Sequence, residues 1–139
     1  MVAINFRTRS HEAEAVATEM VAAGGRAFTN QADLENAAEI DALWDAWDET
    51  ATQLAGDNRL DVLINNAGIT SAVPLTEIFE DAVDRILAVN TKAPLFMSAA
   101  GAKRMRQGGR IVTIGVRAQQ SSRASSTAPM ACPRARCSR

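Results

Sequence analysis

The residues best suited to chemistry in this chain lie in the stretch LDVLINNAGIT, at positions 60–70. An apolar run there ends in two carboxamides, Asn65 and Asn66, followed at once by Ala67 and Gly68. Carboxamides both donate and accept hydrogen bonds, while small residues let the backbone approach a ligand without a clashing side chain. We therefore predict a strand that ends against a bound ligand; the alternative is an ordinary strand-to-loop turn.

Three charged side chains follow two earlier predicted strands. Arg7 and Arg9 follow residues 2–6, and Asp33 follows residues 26–30. A guanidinium forms paired, charge-assisted hydrogen bonds, so an arginine at this place suits a phosphate group. Two alternatives stay open: the arginines are solvated in a loop, and Asp33 is the N-cap of the helix that follows it.

Asn90 is the one polar residue of the segment ILAVN. Asparagine competes for backbone hydrogen bonds and is a mediocre helix former. Its position in an apolar segment therefore indicates a role beyond packing; the alternative is an exposed or kink-forming asparagine. By contrast, we expect His11 to be solvated, and Trp44 and Trp47, three residues apart, to belong to the core.

These side chains need elements that position them, and strand and helix patterns alternate along the chain. That order indicates an α/β fold with a doubly wound parallel sheet, in which continuously apolar strands are buried on both faces. Ligands bind such sheets at the carboxyl ends of the strands, where the polar residues above fall. The predicted strands span residues 2–6, 26–30, 60–65 and 110–114. One predicted helix starts at the cap Ser10, and a second covers 34–54. A third, capped by Thr76, covers 77–105 with a break near Asn90.

Composition narrows the function classes. The chain has 139 residues, 47% of them hydrophobic, which is enough for one domain with a core. A net charge of −1 argues against nucleic acid or a membrane as the main partner. Cys132 and Cys137 have a spacing that fits neither metal nor redox motifs, so we expect no metal and a reducing, cytoplasmic setting. Residues 116–139 hold five arginines and no acid, which predicts a basic, disordered tail after a domain at 1–115.

Five stretches of the sequence together show a resemblance to a known family. The stretches VAINFRTR, QADLEN, LDVLINNAGIT, ILAVNTKAP and GGRIVTIG occur in that order over residues 1–115. Together they resemble a central piece of the short-chain dehydrogenase/reductases, close to the 3-oxoacyl-carrier-protein reductase type. The resemblance implies a Rossmann-type sheet that is incomplete, with family strands 2–5 only. It also implies hydride transfer between a small carbonyl or alcohol substrate and a nicotinamide, in a homo-oligomer for the intact family member.

The resemblance assigns roles to single residues. Phe6 and Arg7 stand where a carboxylate selects NAD in the family, so NADP(H) is favoured over NAD(H). Asn90 matches the catalytic asparagine that holds a water leading to the active-site lysine. The positions implied to bind the cofactor are Arg7, Asp33, Leu34, Asn66, Ala67 and Gly68.

Parts of the family's machinery have no counterpart in this sequence. No glycine-rich phosphate loop precedes the first strand, and the chain contains no tyrosine for the family's Tyr-x-x-x-Lys pair. We expect residues 1–139 alone to be inactive or nearly so. We also expect the missing family strand to leave the chain marginal, prone to aggregation, or closed by pairing strand 2–6 with strand 60–65.

Two further interpretations stay open. Codon degeneracy permits residues 116–139 to be a shifted reading frame of a serine and Tyr-x-x-x-Lys segment. As a different class of function, the chain could be a non-catalytic association module that uses the helix around Asn90 and the basic tail. A catalytic relative acting on nucleotide-sugars is disfavoured by the N-N-A-G turn.

Overall fold

The computed structural model describes residues 1–71 and 73–115, in which parallel strands alternate with helices. The tail predicted at 116–139, with both cysteines, lies outside these residues. The elements are β1 Val2–Phe6, α1 Ser10–Ala22, β2 Ala27–Gln31, α2 Ala37–Ala55, β3 Leu60–Asn65, a 3-10 turn Leu75–Glu77, α3 Glu80–Leu87, a π-helical turn Ala88–Lys92, α4 Ala93–Ala102 and β4 Met105–Thr113.

The strands form two parallel pairs. β1 pairs with β2 in a register that places Ile4 opposite Thr29, and β3 pairs with β4 with Leu63 opposite Ile111. The predicted α/β class with parallel strands is confirmed. β1 and β3 are not hydrogen-bonded to each other, so the direct pairing of these two strands, one of three expected outcomes, does not occur in the structure.

The core lies between α2, β3 and α4. Trp44 and Trp47, on one side of α2, are 4% and 8% exposed, which confirms their predicted place in the core. The indole of Trp47 stacks on Phe28 with ring centroids 6.1 Å apart, and its Nε1 donates to the Asn58 carbonyl at 2.9 Å. The remaining buried apolar residues of this cluster are Ala32, Ile40, Leu43, Ala51, Leu60, Leu63, Ala93 and Met97.

Gly101 allows α4 to approach this core closely. A β-carbon at Gly101 would lie 2.9 Å from Leu63 Cδ2 and 3.2 Å from Trp44 Cη2. Both distances are shorter than ordinary carbon contacts. A larger residue at this position would therefore push α4 away from α2 and β3.

Several predicted helix starts are wrong. Arg9, and not Ser10, is the N-cap of α1, and no side chain caps that helix. Thr76 lies inside the 3-10 turn, and α3 begins after Phe79 without a side-chain cap. A serine or threonine caps a helix only when its oxygen reaches the free N–H groups of the first turn, and neither hydroxyl does so here.

The prediction that the strands are buried on both faces is also wrong in part. Val62 and Ile64 of β3 are 50% and 60% exposed, and Val2 of β1 is 43% exposed. The physical reason is that, among residues 1–71 and 73–115, β1 and β3 each have a strand on one side only. Side chains next to an open edge keep solvent contact. His11, in α1, is exposed as predicted.

Candidate functional site

The two strand pairs point the same way. Arg26, just before β2, donates a hydrogen bond to the carbonyl of Leu54, shortly before β3. At the other end, Glu35, just after β2, forms an ion pair with Arg85 of α3 at 3.2 Å. The amino ends of the strands are therefore close together, as are their carboxyl ends. We call the latter the carboxyl edge, and the polar residues predicted from the sequence follow the strands there.

Arg7 and Asp33 meet at the carboxyl edge beside β1 and β2. Arg7 Nη1 lies 3.7 Å from Asp33 Oδ2, and their side chains are 49% and 34% exposed. Gln31 Nε2 donates to the Arg7 carbonyl at 3.0 Å, which holds the chain as it leaves β1. A positive and a negative group thus stand side by side, both open to solvent. Arg9 is engaged elsewhere, in an ion pair with Glu12 of α1 at 3.2 Å.

Asp33 does not cap α2. The N-cap is Asn36, whose Oδ1 accepts from the Ala38 N–H at 3.0 Å. Asp33 Oδ1 instead accepts from the Glu35 N–H at 3.0 Å, which closes a tight turn. Leu34, between them, is half-buried against the core. The turn therefore fixes Asp33 at the edge and leaves its second oxygen near Arg7.

The two asparagines after β3 have different environments. Asn65 is 8% exposed, and its Nδ2 lies 3.1 Å from Ser98 Oγ and 3.3 Å from Thr113 Oγ1. It thereby ties β3 to α4 and β4. Asn66 is exposed. Nothing in the sequence distinguishes Asn65 from Asn66. The contacts of Ser98 and Thr113 with Asn65 were not predicted either. The only sequence signal for them is that each is a single hydroxyl residue within an apolar segment.

Asn90 lies in the π-helical turn and holds the loop after β3. Its Nδ2 donates to the Ile69 carbonyl at 2.8 Å, and its Oδ1 accepts from the Ile69 N–H at 2.9 Å. The turn is closed by the Ala93 N–H, which donates to the Ala88 carbonyl five residues earlier. Such π turns occur often at functional sites. The predicted break near Asn90 is thus a widened helical turn.

Ala67 and Gly68 complete the edge between Asn66 and Asn90. Both are exposed, and a β-carbon at Gly68 would lie 3.5 Å from Asn90 Oδ1, an ordinary contact distance. Glycine here therefore leaves the edge open without being required by the packing. The structure places Asn66, Ala67 and Gly68 in the loop that Asn90 holds through Ile69, and it places Arg7 and Asp33 just after β1 and β2.

This donor set fits a dinucleotide. The carboxylate of Asp33 can accept hydrogen bonds from ribose or adenine, and the guanidinium of Arg7 can bind a phosphate. The loop Asn66–Gly68 presents backbone with little side chain, which suits a flat ring lying against it. In the described residues, no cluster of three His, Cys, Asp or Glu side chains could hold a metal. None of the helices described is long and apolar enough to cross a membrane.

Comparisons with known proteins point to one family. A family model described as short chain dehydrogenase matches residues 1–130, and so extends past the change of composition after residue 115. An oxidoreductase of Methylorubrum extorquens, named as uncharacterized, is 35% identical over 113 residues. That match covers 81% of this chain and 43% of the relative. The chain thus spans less than half the length of this relative.

Solved structures give the same picture. The landomycin C-6 ketoreductase LanV, solved with bound NADP and rabelomycin, superposes with a TM-score of 0.79 at 34% identity. The match covers 81% of this chain and 46% of that protein. A short chain dehydrogenase from Burkholderia cenocepacia, in complex with NADP, gives a TM-score of 0.72 at 35% identity and covers 81% and 44% of the two chains.

Proposed function

The chain belongs to the short-chain dehydrogenase family, and on that premise we propose that it forms the dinucleotide-binding part of an NADP(H)-dependent oxidoreductase. The proposed reaction is reduction of a small carbonyl compound, or oxidation of the alcohol, by hydride transfer. The observation that carries the proposal is the exposed pair of Arg7 and Asp33 at the carboxyl edge, 3.7 Å apart. The resemblance to the 3-oxoacyl-carrier-protein reductase type remains a prediction.

The preference for NADP(H) is proposed to depend on Arg7. A 2′-phosphate carries negative charge and accepts paired hydrogen bonds from a guanidinium, whereas a 2′-hydroxyl gains little from one. Arg7 is half-exposed and its pairing with Asp33 is long, so the guanidinium can turn to a phosphate at little cost. The NADP bound to LanV and to the Burkholderia enzyme supports the preference for NADP(H).

Asp33, Leu34 and the loop Asn66–Gly68 are proposed to hold the adenosine part and the backbone of the dinucleotide. Asp33 accepts hydrogen bonds from it, and Leu34 supplies an apolar contact. When bound, NADP(H) supplies the hydride or accepts it. The chain's own contribution is to bind and orient the dinucleotide against an edge with few obstructing side chains.

Asn90 is proposed as the catalytic asparagine that the resemblance implies. In the structure both polar atoms of its carboxamide contact the Ile69 backbone, so its first effect is to position the loop after β3. The chain has no tyrosine, and a tyrosine hydroxyl is the proton donor that the resemblance implies. We therefore propose that residues 1–139 alone bind dinucleotide but turn over substrate poorly or not at all.

Titration calorimetry of the full chain with NADPH and NADH tests the proposal. We expect NADPH to bind more tightly, and Arg7→Gln to weaken NADPH about ten- to hundredfold, since hydrogen bonds to charged groups contribute about 1.5–3 kcal/mol. NADH binding should barely change. Arg59→Gln, at an exposed arginine near the amino end of β3, is the matched control. Equal loss of both dinucleotides in Arg7→Gln would contradict the assignment.

A second candidate function is a non-catalytic association module. Leu87 of α3 and Leu95 and Phe96 of α4 are 45%, 65% and 47% exposed, and exposed apolar patches can mark an interaction surface. Self-association through these helices also agrees with the homo-oligomer that the resemblance implies for the intact family member. Two measurements on the chain and on Leu95→Ser separate the two functions: size-exclusion chromatography with light scattering, and the dinucleotide titration above. A chain that dimerises through Leu95 and binds no dinucleotide favours the module.

A further inference from the structure

Arg85 of α3 reaches across to the turn that carries Asp33. Its Nε donates to Glu35 Oε2 at 3.2 Å, and the two residues are 50 positions apart in the chain. Their side chains are 52% and 34% exposed. Within the part of the chain that the structure describes, this is the only hydrogen bond or ion pair between α3 and a residue outside 73–92. The contact therefore joins two otherwise separate segments at the carboxyl edge.

Glu35 belongs to the same short turn as Asp33. The Glu35 N–H donates to Asp33 Oδ1 at 3.0 Å, and the Asp33 N–H donates to Glu39 Oε2 at 2.6 Å. The Asn36 N–H donates to the Asp33 carbonyl at 3.0 Å. These bonds all lie within residues 33–39, so they set the shape of the turn. The ion pair with Arg85 is different, because it fixes where the turn stands relative to α3.

The helical segment that carries Arg85 also holds the loop after β3. None of the eight residues of α3 is buried, so polar contacts have a larger share in fixing its place. α3 continues into the π-helical turn, where Asn90 binds the Ile69 backbone through two hydrogen bonds. Asn90 is five residues after Arg85, about 7.5 Å along the helix axis. One continuous segment thus contacts the turn after β2 and the loop after β3.

We propose that Arg85 and Glu35 are a positioning pair for the dinucleotide, which sets the distance between the turn at Asp33 and the loop Asn66–Gly68. Neither member of the pair contacts the dinucleotide in this proposal. The role rests on the proposed function, because the adenosine part is proposed to bind at these two segments. Binding to segments that are already held in place loses less conformational freedom, and the affinity rises accordingly.

The effect of removing the Glu35 charge separates positioning from simple electrostatic attraction. NADPH carries negatively charged phosphates, so the Glu35 carboxylate repels it at long range. If charge alone acted, Glu35→Gln would strengthen NADPH binding. If the pair positions the turn, Glu35→Gln weakens NADPH binding instead, because Arg85 loses its ionic partner and the turn is no longer tied to α3.

The test is titration calorimetry of the full chain and its variants with NADPH and NADH. We expect Arg85→Gln and Glu35→Gln each to weaken both dinucleotides about two- to fivefold, the range for an exposed ion pair. The double variant should lose no more affinity than either single variant, since both remove the same contact. The ratio of NADPH to NADH affinity should persist, in contrast to Arg7→Gln. Arg85→Lys keeps the positive charge and should recover most of the loss, and the urea midpoint should be the same for all variants.

Arg106→Gln is the matched control. It removes the ion pairs of another partly exposed arginine, with Asp57 and Asp61, at the amino ends of β3 and β4, and it should leave dinucleotide binding unchanged. Unchanged or tighter binding in Glu35→Gln, additive losses in the double variant, or an equal loss in Arg106→Gln would overturn the positioning role and leave the proposed function intact. Failure of the unsubstituted chain to bind either dinucleotide would overturn the proposed function, and the positioning role with it.

Discussion

Asn90 and Ile69, 21 residues apart, are joined by two hydrogen bonds, with the side-chain carboxamide of one paired to the backbone of the other at 2.8 and 2.9 Å. The contact fixes the loop that follows β3 against the π-helical turn. Asparagine is well suited to this task because one short side chain both donates and accepts. The loop that carries Ala67 and Gly68 is thus held in place by a residue of the π-helical turn.

Asn90→Ala should release this loop. Both hydrogen bonds to Ile69 are lost, and since the residue is exposed we expect a cost of about 1–2 kcal/mol in loop stability. The measurement is hydrogen exchange at the Ile69 amide, which should speed up about five- to thirtyfold while exchange in α2 is unchanged. Thr91→Ala, at the next exposed position, is the control; a similar effect there would argue against the contact.

Asn65 and Asn66 should respond differently to the same substitution. Asn65→Ala removes a buried carboxamide that contacts Ser98 and Thr113, so we expect the free energy of unfolding to fall by about 1–3 kcal/mol. Asn66→Ala should leave stability within about 0.5 kcal/mol and weaken dinucleotide binding. Urea denaturation and NADPH titration of both variants check this, and a reversed pattern would mean that Asn65 is the ligand residue.

The ion pair of Asp48 and Arg104 should give stability a marked acid dependence. Hydrogen bonding from Arg104, at 2.6 Å from its Nε, holds the pKa of Asp48 below its ordinary value. The pair's contribution is therefore full above an unfolded-state pKa of about 4 and is lost as pH falls through the lower, folded-state pKa.

Asp48→Asn tests this dependence. At neutral pH we expect it to destabilise the chain by about 1–2 kcal/mol, a value reduced by solvent screening of the pair. As pH falls below about 4 and through the lower folded-state pKa, the gap to the unsubstituted chain should narrow, since the carboxylate becomes protonated first in the unfolded state and then in the folded state. Thermal melts across pH check this against Asp41→Asn, an exposed acid of the same helix. A gap that does not vary with pH would contradict the assignment.

Gly101→Ala should be destabilising although alanine is the better helix former. The added carbon would approach Leu63 and Trp44 within 2.9 and 3.2 Å, and overpacking costs about 1–3 kcal/mol against a gain of about 1 kcal/mol in helix propensity. We expect a net loss of about 1 kcal/mol. Ala99→Gly, at an exposed position of α4, gives the propensity effect alone. A gain in stability from Gly101→Ala would show that α4 can move outward freely.

Local patterns were sufficient for most of the strands. β1 and β3 have the predicted bounds, because β-branched apolar runs between turn signals are read from a few neighbouring residues. β4 starts at Met105, five residues before the predicted start at residue 110. The prediction was late because Gly108-Gly109 is typical of a turn. Gly108 does adopt a left-handed conformation, with φ of 83°, but inside the strand.

Contacts between distant residues could not be predicted. The exposed state of Ile64 depends on which strand lies beside β3, and nothing within its own segment gives that information. The partners of Asn65 lie 33 and 48 residues away, so the sequence shows a pair of asparagines but not which one is buried. The resemblance supplied the remaining roles, and those of Arg7 and Asn90 are still predictions.

The central claim is that the carboxyl edge binds a pyridine nucleotide. The most direct measurement is amide chemical-shift mapping by NMR of the full chain during titration with NADPH. We expect saturable shifts at Arg7, Asp33, Leu34 and Asn66–Gly68, with none at the amino ends of the strands. Saturable shifts confined to the amino ends, with the carboxyl edge unchanged, would contradict the claim.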